Sequence, residues 1–231
     1  MTMPTAGELF APSPARHGNL RRALDLLCAG MAASVLIPVF LIVAFAIWIE
    51  SGRPILFSQL RLGQNGRPFR IYKFRKFRPN CDPHGYPLTM EGDDRLTAIG
   101  RILAATKLDE LPQLWNVLRG DMSLVGPRPE SLAFTDCFRN GFERLLEHKP
   151  GRFGPCQVLF RHESKLYPTD VSAADFYRRV VFPAKAKIDL AYFSRRTLAS
   201  DLHWILRAAG VIAVDSWTAI ARSDRSDQSR Q

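Results

Sequence analysis

The 231 residues are 46% hydrophobic and 23% charged, with 32 Lys+Arg against 22 Asp+Glu and a net charge of +10. This excludes a wholly disordered or fibrous chain, and the length allows one substantial core, or one core plus an appendage. The basic excess calls for an anionic partner, be it nucleic acid, anionic lipid or a phosphorylated substrate.

Cysteine usage narrows the compartment. Cys28, Cys81, Cys137 and Cys156 are widely spaced and form no CxxC pair. That argues against a zinc site or a disulfide framework and fits a reducing compartment.

Residues 1–18 are rich in Pro, Ala and Gly without periodicity, which predicts a disordered tail. From Leu26 to Ile49 no residue is charged, and the 24 positions are apolar except Gly30, Ser34 and Pro38. As a straight helix the run would be about 36 Å long against a hydrocarbon core of about 30 Å, so membrane insertion is expected over residues 19–50. Pro38 removes a backbone hydrogen bond in mid-run, which predicts a helix break at Ile37–Pro38. Arg16, Arg21 and Arg22 precede the run, and Arg53, Arg61, Arg67, Arg70 and Lys73 follow it. Basic flanks at both ends favour a re-entrant segment with both ends on the cytoplasmic side, although a single span is not excluded by these residues.

After this segment, Asn65-Gly66 divides two partly alternating arms, a β-hairpin signal. The second arm interleaves Arg70, Lys73, Arg75, Lys76 and Arg78 with Phe69, Ile71, Tyr72, Phe74 and Phe77. A solvated basic strand, a phosphate-facing strand and a single-stranded nucleic-acid surface all fit that pattern. Residues 79–95 read as a loop in which Asp93-Asp94 serve a turn or helix cap rather than a metal. LTAIGRILAAT (96–106) predicts a short helix, and KPGRFGPCQV (149–158) a Gly/Pro-dense loop. FYRRVVFPAKAKIDLAYFSRR and SDLHWILRAAGVIAV predict helices with apolar and basic faces, suited to the core or a lipid interface. The polar residues 221–231 predict a second disordered tail.

TKLDELPQLWNVLRGDMSLVGPRPE (106–130) is the most informative stretch. In helical geometry Leu108, Leu111, Trp115 and Leu118 form an apolar stripe, with Asp109, Gln113 and Asn116 on a polar flank. Thr106 and Asp109 have capping-box spacing for a helix that starts near Leu108, so both acids could simply offset a helix dipole. Chemistry offers a second use. A carboxylate can attack phosphorus and form an acyl phosphate, and a second carboxylate can hold Mg²⁺. Arg128, between prolines in GPRPE, is suited to bidentate phosphate contact. No P-loop, GxGxxG or HExxH pattern is present.

These motifs, with RALDLL, the mid-segment proline, RLGQNGRPFRIYKFR, LTAIGR and the KPG loop, closely resemble the bacterial sugar transferase family, the monotopic phosphoglycosyl transferases that load a polyprenyl phosphate. The likeness runs from about Arg21 to Val214. It implies a helix-rich α+β enzyme anchored by a Pro-broken re-entrant helix, with a small β-hairpin and amphipathic interfacial helices. The catalytic domain would span residues 51–220.

The resemblance also implies a mechanism. Asp109 would attack the β-phosphorus of a UDP-sugar and release UMP, and polyprenyl (undecaprenyl) phosphate would then take the phosphosugar. Glu110 would bind Mg²⁺, and Arg128, Lys73, Arg75, Lys107 and Gln113 would bind substrate. Inner-membrane lipids are implied partners, nucleic acid is not, and a homodimer is allowed. The place would be the cytoplasmic face of a bacterial inner membrane, at the first membrane step of exopolysaccharide, capsule or O-antigen synthesis. A catalytically silent scaffold of the same assembly system is the alternative.

The chain departs from the family pattern at three places. Ala104 and Ala105 stand where a basic pair is usual, with Lys107 in place of a serine as its candidate substitute. Ile37 replaces the serine of the helix break, and GRFGPCQV replaces the more usual GITGLWQV.

Overall fold

The computed structural model describes residues 18–79, 81, 93–168 and 170–228. The tail expected over residues 1–18, apart from Gly18, and most of the loop read over 79–95 lie outside the described residues. The chain adopts the expected helix-rich α+β architecture, with two small two-stranded sheets set among helices.

Helices α1 (Gly18–Val35) and α2 (Ile37–Ser51) meet at Leu36 and are bent by 58°. The break falls one residue before the expected Ile37–Pro38 pair. Pro38 lies in the first turn of α2, where a missing N–H leaves no helical bond unmade. Ser34 donates its hydroxyl to the Gly30 carbonyl at 3.0 Å, a back-bond that favours bending just before the break. Neither helix alone is long and apolar enough to cross a membrane, whereas the bent pair passes that test together.

Both helices share cores with the rest of the chain. Ala29 of α1 packs with Ile71, Leu114, Val117, Met122 and Leu124, and Val43 and Ile47 of α2 pack with Phe74 and Leu103. Polar contacts reinforce this docking. Asp25 is buried and accepts hydrogen bonds from the Leu124 N–H (2.9 Å) and the Ser123 hydroxyl (3.1 Å). Arg22 donates to the carbonyls of Val117 (2.6 Å) and Leu118 (2.7 Å) at the C-terminal end of a helix, adding to the Gly120 N–H that Val117 also accepts.

Strands β1 (Leu56–Leu62) and β2 (Pro68–Phe74) form the expected antiparallel hairpin, with Leu56 opposite Phe74 and Leu62 opposite Pro68. Asn65 and Gly66 take left-handed backbone in the turn (φ 56° and 71°), which explains the Asn-Gly pair. Helix α3 (Ala98–Thr106) is capped by Thr97, whose hydroxyl accepts from the Gly100 N–H at 2.8 Å. Asp93 forms the expected turn, accepting from the Arg95 backbone N–H at 3.1 Å.

Three local expectations are corrected. Thr106 is no cap for the next helix, because its hydroxyl donates back to Ile102 at 2.8 Å and closes α3. Lys107, in left-handed conformation, turns the chain into a separate 3₁₀ turn over Leu108–Glu110, and α4 (Gln113–Arg119) starts after Pro112. This interruption shifts the helical phase, so Leu114 and Val117 face the core while Trp115 is 57% exposed. The KPG segment is no loop. It contributes β4 (Gly151–Phe153), parallel to β3 (Ser123–Val125), and then α5 (Pro155–Leu159).

The C-terminal third is helical as expected. Helix α6 (Ala173–Phe176) passes through a π-turn at Tyr177–Val181 into α7 (Phe182–Phe193). Helix α8 (Leu198–Gln228) packs on α3 and continues into the polar residues from 221 onward.

Gly100 sets the distance between α3 and the chain after β2. A Cβ there would run into the Lys76 carbonyl, which also accepts the Thr97 N–H at 3.0 Å. We predict that Gly100→Ala lowers stability by about 1–3 kcal/mol, an overpacking cost readable by thermal melting. Wild-type melting behaviour would show that the two segments part freely.

Candidate active site

Asp109 and Glu110 leave the surface because the 3₁₀ turn after α3 presses them against β2 and its extension. Asp109 is 2% exposed. Its Oδ2 lies 3.5 Å from Lys76 Nζ, and its Oδ1 is buried with no hydrogen-bond partner. Glu110 is held on both oxygens, by Lys73 Nζ at 3.1 Å and Arg152 Nη1 at 2.8 Å. Burial opposes its charge, but Lys73, Arg152, Arg128 and Lys107 overcome that and hold the carboxyl well below its usual range.

The cations respond to the same surroundings. Burial pushes Lys73 down to about 8, with Glu110 and Asp109 pulling the other way. Lys107 is also lowered by burial, against the same two acids. Arg128 experiences burial that disfavours its charge, yet Glu110, Glu163 and Glu130 raise its pKa above the ordinary value. Arg61, Lys73, Glu110, Gln113, Arg128 and Arg152 line one cleft. The space left among them is about 20 Å³, room for roughly one water, so an anionic ligand must draw the cations away from Glu110.

Arg128 is positioned by its backbone. The Pro127 carbonyl accepts from the Gly151 N–H (2.8 Å), and the Glu130 carbonyl accepts from the Leu62 N–H (2.9 Å). Gly126 and Gly151 approach so closely that a Cβ on either would strike the other strand, which accounts for both glycines. Behind the loop, Lys185 is 4% exposed and lies 3.0 Å from Glu163, 3.6 Å from Glu130 and 3.2 Å from the Tyr177 hydroxyl.

Of the residues singled out in the sequence, Asp109, Glu110, Lys73, Lys107, Gln113 and Arg128 converge here. Arg75 does not. Its guanidinium turns away and donates to Ser51 O (2.9 Å), Ser51 Oγ (2.7 Å) and Gly52 O (2.8 Å), capping α2. The end of the strand explains the split, since alternation would put Lys73 and Arg75 on one face only in unbroken β geometry, and β2 ends at Phe74.

Lys76, Arg61, Arg152 and the Glu130–Glu163–Lys185 cluster escaped the site assignment. The substituted GRFG motif was the one signal available for Arg152. Asn116 also gains a role. It accepts from the Tyr72 N–H (3.1 Å) and donates to Arg70 O (2.8 Å), locking α4 to the edge of β2.

A hard divalent cation would find Glu110 and the unpartnered Asp109 Oδ1 here. Among the described residues no group of three or more His, Cys, Asp and Glu could hold a metal. Two carboxylates suit Mg²⁺ that completes its shell with phosphate oxygens and water, once Lys73 or Arg152 has released Glu110.

Two stability outcomes follow. Lys185→Met leaves Glu130 and Glu163 without their shared cation and should cost about 3–5 kcal/mol in denaturant unfolding; an unchanged midpoint would refute that pairing. Lys73 has a folded value near 8 against an ordinary 10.5, so the unfolded chain holds the extra proton between them. Stability should therefore rise with pH across that window, by at most about 1.4 kcal/mol per unit, and Lys73→Met should remove that rise in melts taken from pH 7.5 to 10.

A family model described as bacterial sugar transferase matches residues 16–215. The chain is 39% identical over 170 residues to the UDP-N-acetylgalactosamine-undecaprenyl-phosphate N-acetylgalactosaminephosphotransferase of Aeromonas hydrophila, covering 72% of this chain and 40% of that one. It is 43% identical over 151 residues to the UDP-glucose:undecaprenyl-phosphate glucose-1-phosphate transferase of Caulobacter vibrioides, covering 64% of this chain and 57% of that one. With the exopolysaccharide production protein PSS of Rhizobium leguminosarum bv. phaseoli it shares 48% identity over 197 residues, 80% of this chain and 85% of that one. The chain thus spans between two fifths and three fifths of the first two relatives' length. With the family model matching most of its length, the chain belongs to the bacterial sugar transferase family.

Proposed function

We propose that this chain is a phosphoglycosyl transferase that moves a sugar-1-phosphate from a UDP-sugar to polyprenyl phosphate. The single observation that carries the reading is the Asp109 carboxylate, buried with one oxygen unpartnered, next to a cation-lined cleft that includes Arg128. A structural acid would have both oxygens satisfied, and a silent scaffold has no use for a buried free one. The names of two relatives, which couple UDP-sugars to undecaprenyl phosphate, support the same substrates.

In this reading Asp109 attacks the β-phosphorus of the UDP-sugar. A new carboxylate–phosphorus bond forms, the bond to the UMP oxygen breaks, and UMP leaves with that electron pair. Lys76 pairs with Asp109 at 3.5 Å, while Arg128, Lys73, Lys107 and Arg152 neutralise the diphosphate and Gln113 orients it. A polyprenyl phosphate oxygen then attacks the same phosphorus, expels the Asp109 carboxylate and yields the polyprenyl diphosphate sugar. Mg²⁺ held by Glu110 would supply charge neutralisation for the leaving UMP.

The bent α1–α2 pair is the membrane anchor in this account. Leu27, Met31, Val35, Leu41, Ile42 and Ile49 are exposed although all are large and apolar, a surface that water penalises and hydrocarbon accepts. Entry and exit on the cytoplasmic face of a bacterial inner membrane would keep the site where UDP-sugars are made.

Asp109→Asn should reduce UMP release from UDP-sugar, with undecaprenyl phosphate and Mg²⁺ present, by about 10³-fold or more while leaving the circular dichroism spectrum unchanged. Full release by that variant would remove Asp109 from the chemistry.

A further inference from the structure

Both carboxylate oxygens of Glu110 are already occupied by cations. Lys73 Nζ lies 3.1 Å from Oε1, and Arg152 Nη1 lies 2.8 Å from Oε2. The group is buried, and the space left in the cleft is about 20 Å³. A divalent cation would have to approach Oε2 to about 2.0–2.1 Å, against the positive charge of the guanidinium beside it. One of the two side chains must therefore leave before a metal can enter.

The two cations are not equally held. Lys73 is attracted by Asp109 as well as by Glu110. Arg152 divides its guanidinium between two different acceptors. Nη1 faces Glu110, while Nη2 donates to the Lys107 carbonyl at 3.4 Å, the long end of hydrogen bonding. The Phe153 ring, 5.4 Å from the guanidinium carbon, is a third and weaker contact. A planar fork of this kind binds best when both nitrogens meet one anion, which a phosphate provides and this carboxylate does not. Charge favours the same exchange, because Glu110 shares about one negative charge between two cations and a diphosphate brings about two. Arg152 and Arg128 line the same cleft, so the guanidinium needs only a short swing to reach an anion bound there. Arg152 also belongs to the GRFG segment, where the chain departs from the GITG pattern. An isoleucine at that position would leave Oε2 open.

We propose that Arg152 is a positioning residue that exchanges Glu110 for the donor's diphosphate, so that Glu110 opens to a divalent cation only when nucleotide is bound. Lys73 stays on Oε1, and the freed Oε2 joins the unpartnered Oδ1 of Asp109 as an oxygen without a cation. This exchange, which rests on the proposed transferase reading, links the two ligands, and each then binds more tightly in the presence of the other.

Manganous ion reports the linkage without turnover. Free Mn²⁺ is measured by electron paramagnetic resonance with the full chain in detergent micelles, with and without UDP whose bridging oxygen is replaced by methylene. Chelation by that analogue alone is subtracted. Wild-type protein should bind Mn²⁺ about ten-fold more tightly with the analogue than without it. Without the analogue, Arg152→Met should bind Mn²⁺ about ten-fold more tightly than wild type and should lose most of the coupling. Arg152→Lys, which keeps the charge, should restore the wild-type pattern. Damage to the fold would weaken metal binding rather than strengthen it. Equal wild-type affinity with and without the analogue, or an unchanged nucleotide-free affinity in folded Arg152→Met, would overturn the exchange and leave UMP release from UDP-sugar to decide the transferase reading. Coupling in a protein that releases no UMP would instead uphold the exchange and defeat that reading.

Discussion

Burying two adjacent carboxylates requires matched cations, and the arrangement of this molecule follows from that need. Glu110 is satisfied on both oxygens by Lys73 and Arg152, while Asp109 has one ion pair and one oxygen without a partner. A buried acid left without cations would cost several kcal/mol, so the basic strand and the KPG segment must sit where they do. Gly100 brings α3 against Lys76, Asn116 ties α4 to β2, and the Gly126–Gly151 approach delivers Arg152 and Arg128 to one cleft.

The same contacts join the proposed anchor to the chemistry. Asp25 and Arg22 on α1 satisfy backbone groups of β3 and α4, the elements before the Arg128 loop. Arg75, placed beside the site in sequence but not in space, closes the end of α2 instead. Movement of the helix pair within a bilayer would therefore be felt at Arg128 and Lys76 through short chains of hydrogen bonds and packed side chains.

Much of this was legible in the residues because it is local. The Asn-Gly turn, the Thr97 cap, the proline near the break and the uncharged run each act within a few positions. The acid pair and Arg128 were legible because carboxylates and an arginine between prolines exceed what packing needs. Trp115 was misplaced because Lys107 adopts left-handed backbone and resets the helical phase, which periodicity cannot register. Arg152 and Lys185 were missed because their partners, Glu110, Glu130 and Glu163, are between 22 and 55 residues away. Side-chain pairing at that range is set by tertiary packing and leaves no short-range pattern.

The proposed chemistry turns on covalent capture of the phosphosugar at Asp109. Intact-mass and peptide-mapping spectrometry of the full chain, incubated with UDP-sugar and Mg²⁺ but no polyprenyl phosphate, measures it directly. Capture there gives a mass increase equal to one phosphosugar, confined to the peptide that carries Asp109 and discharged on addition of polyprenyl phosphate. Turnover with no adduct at any time point, or an adduct on another residue, would contradict it.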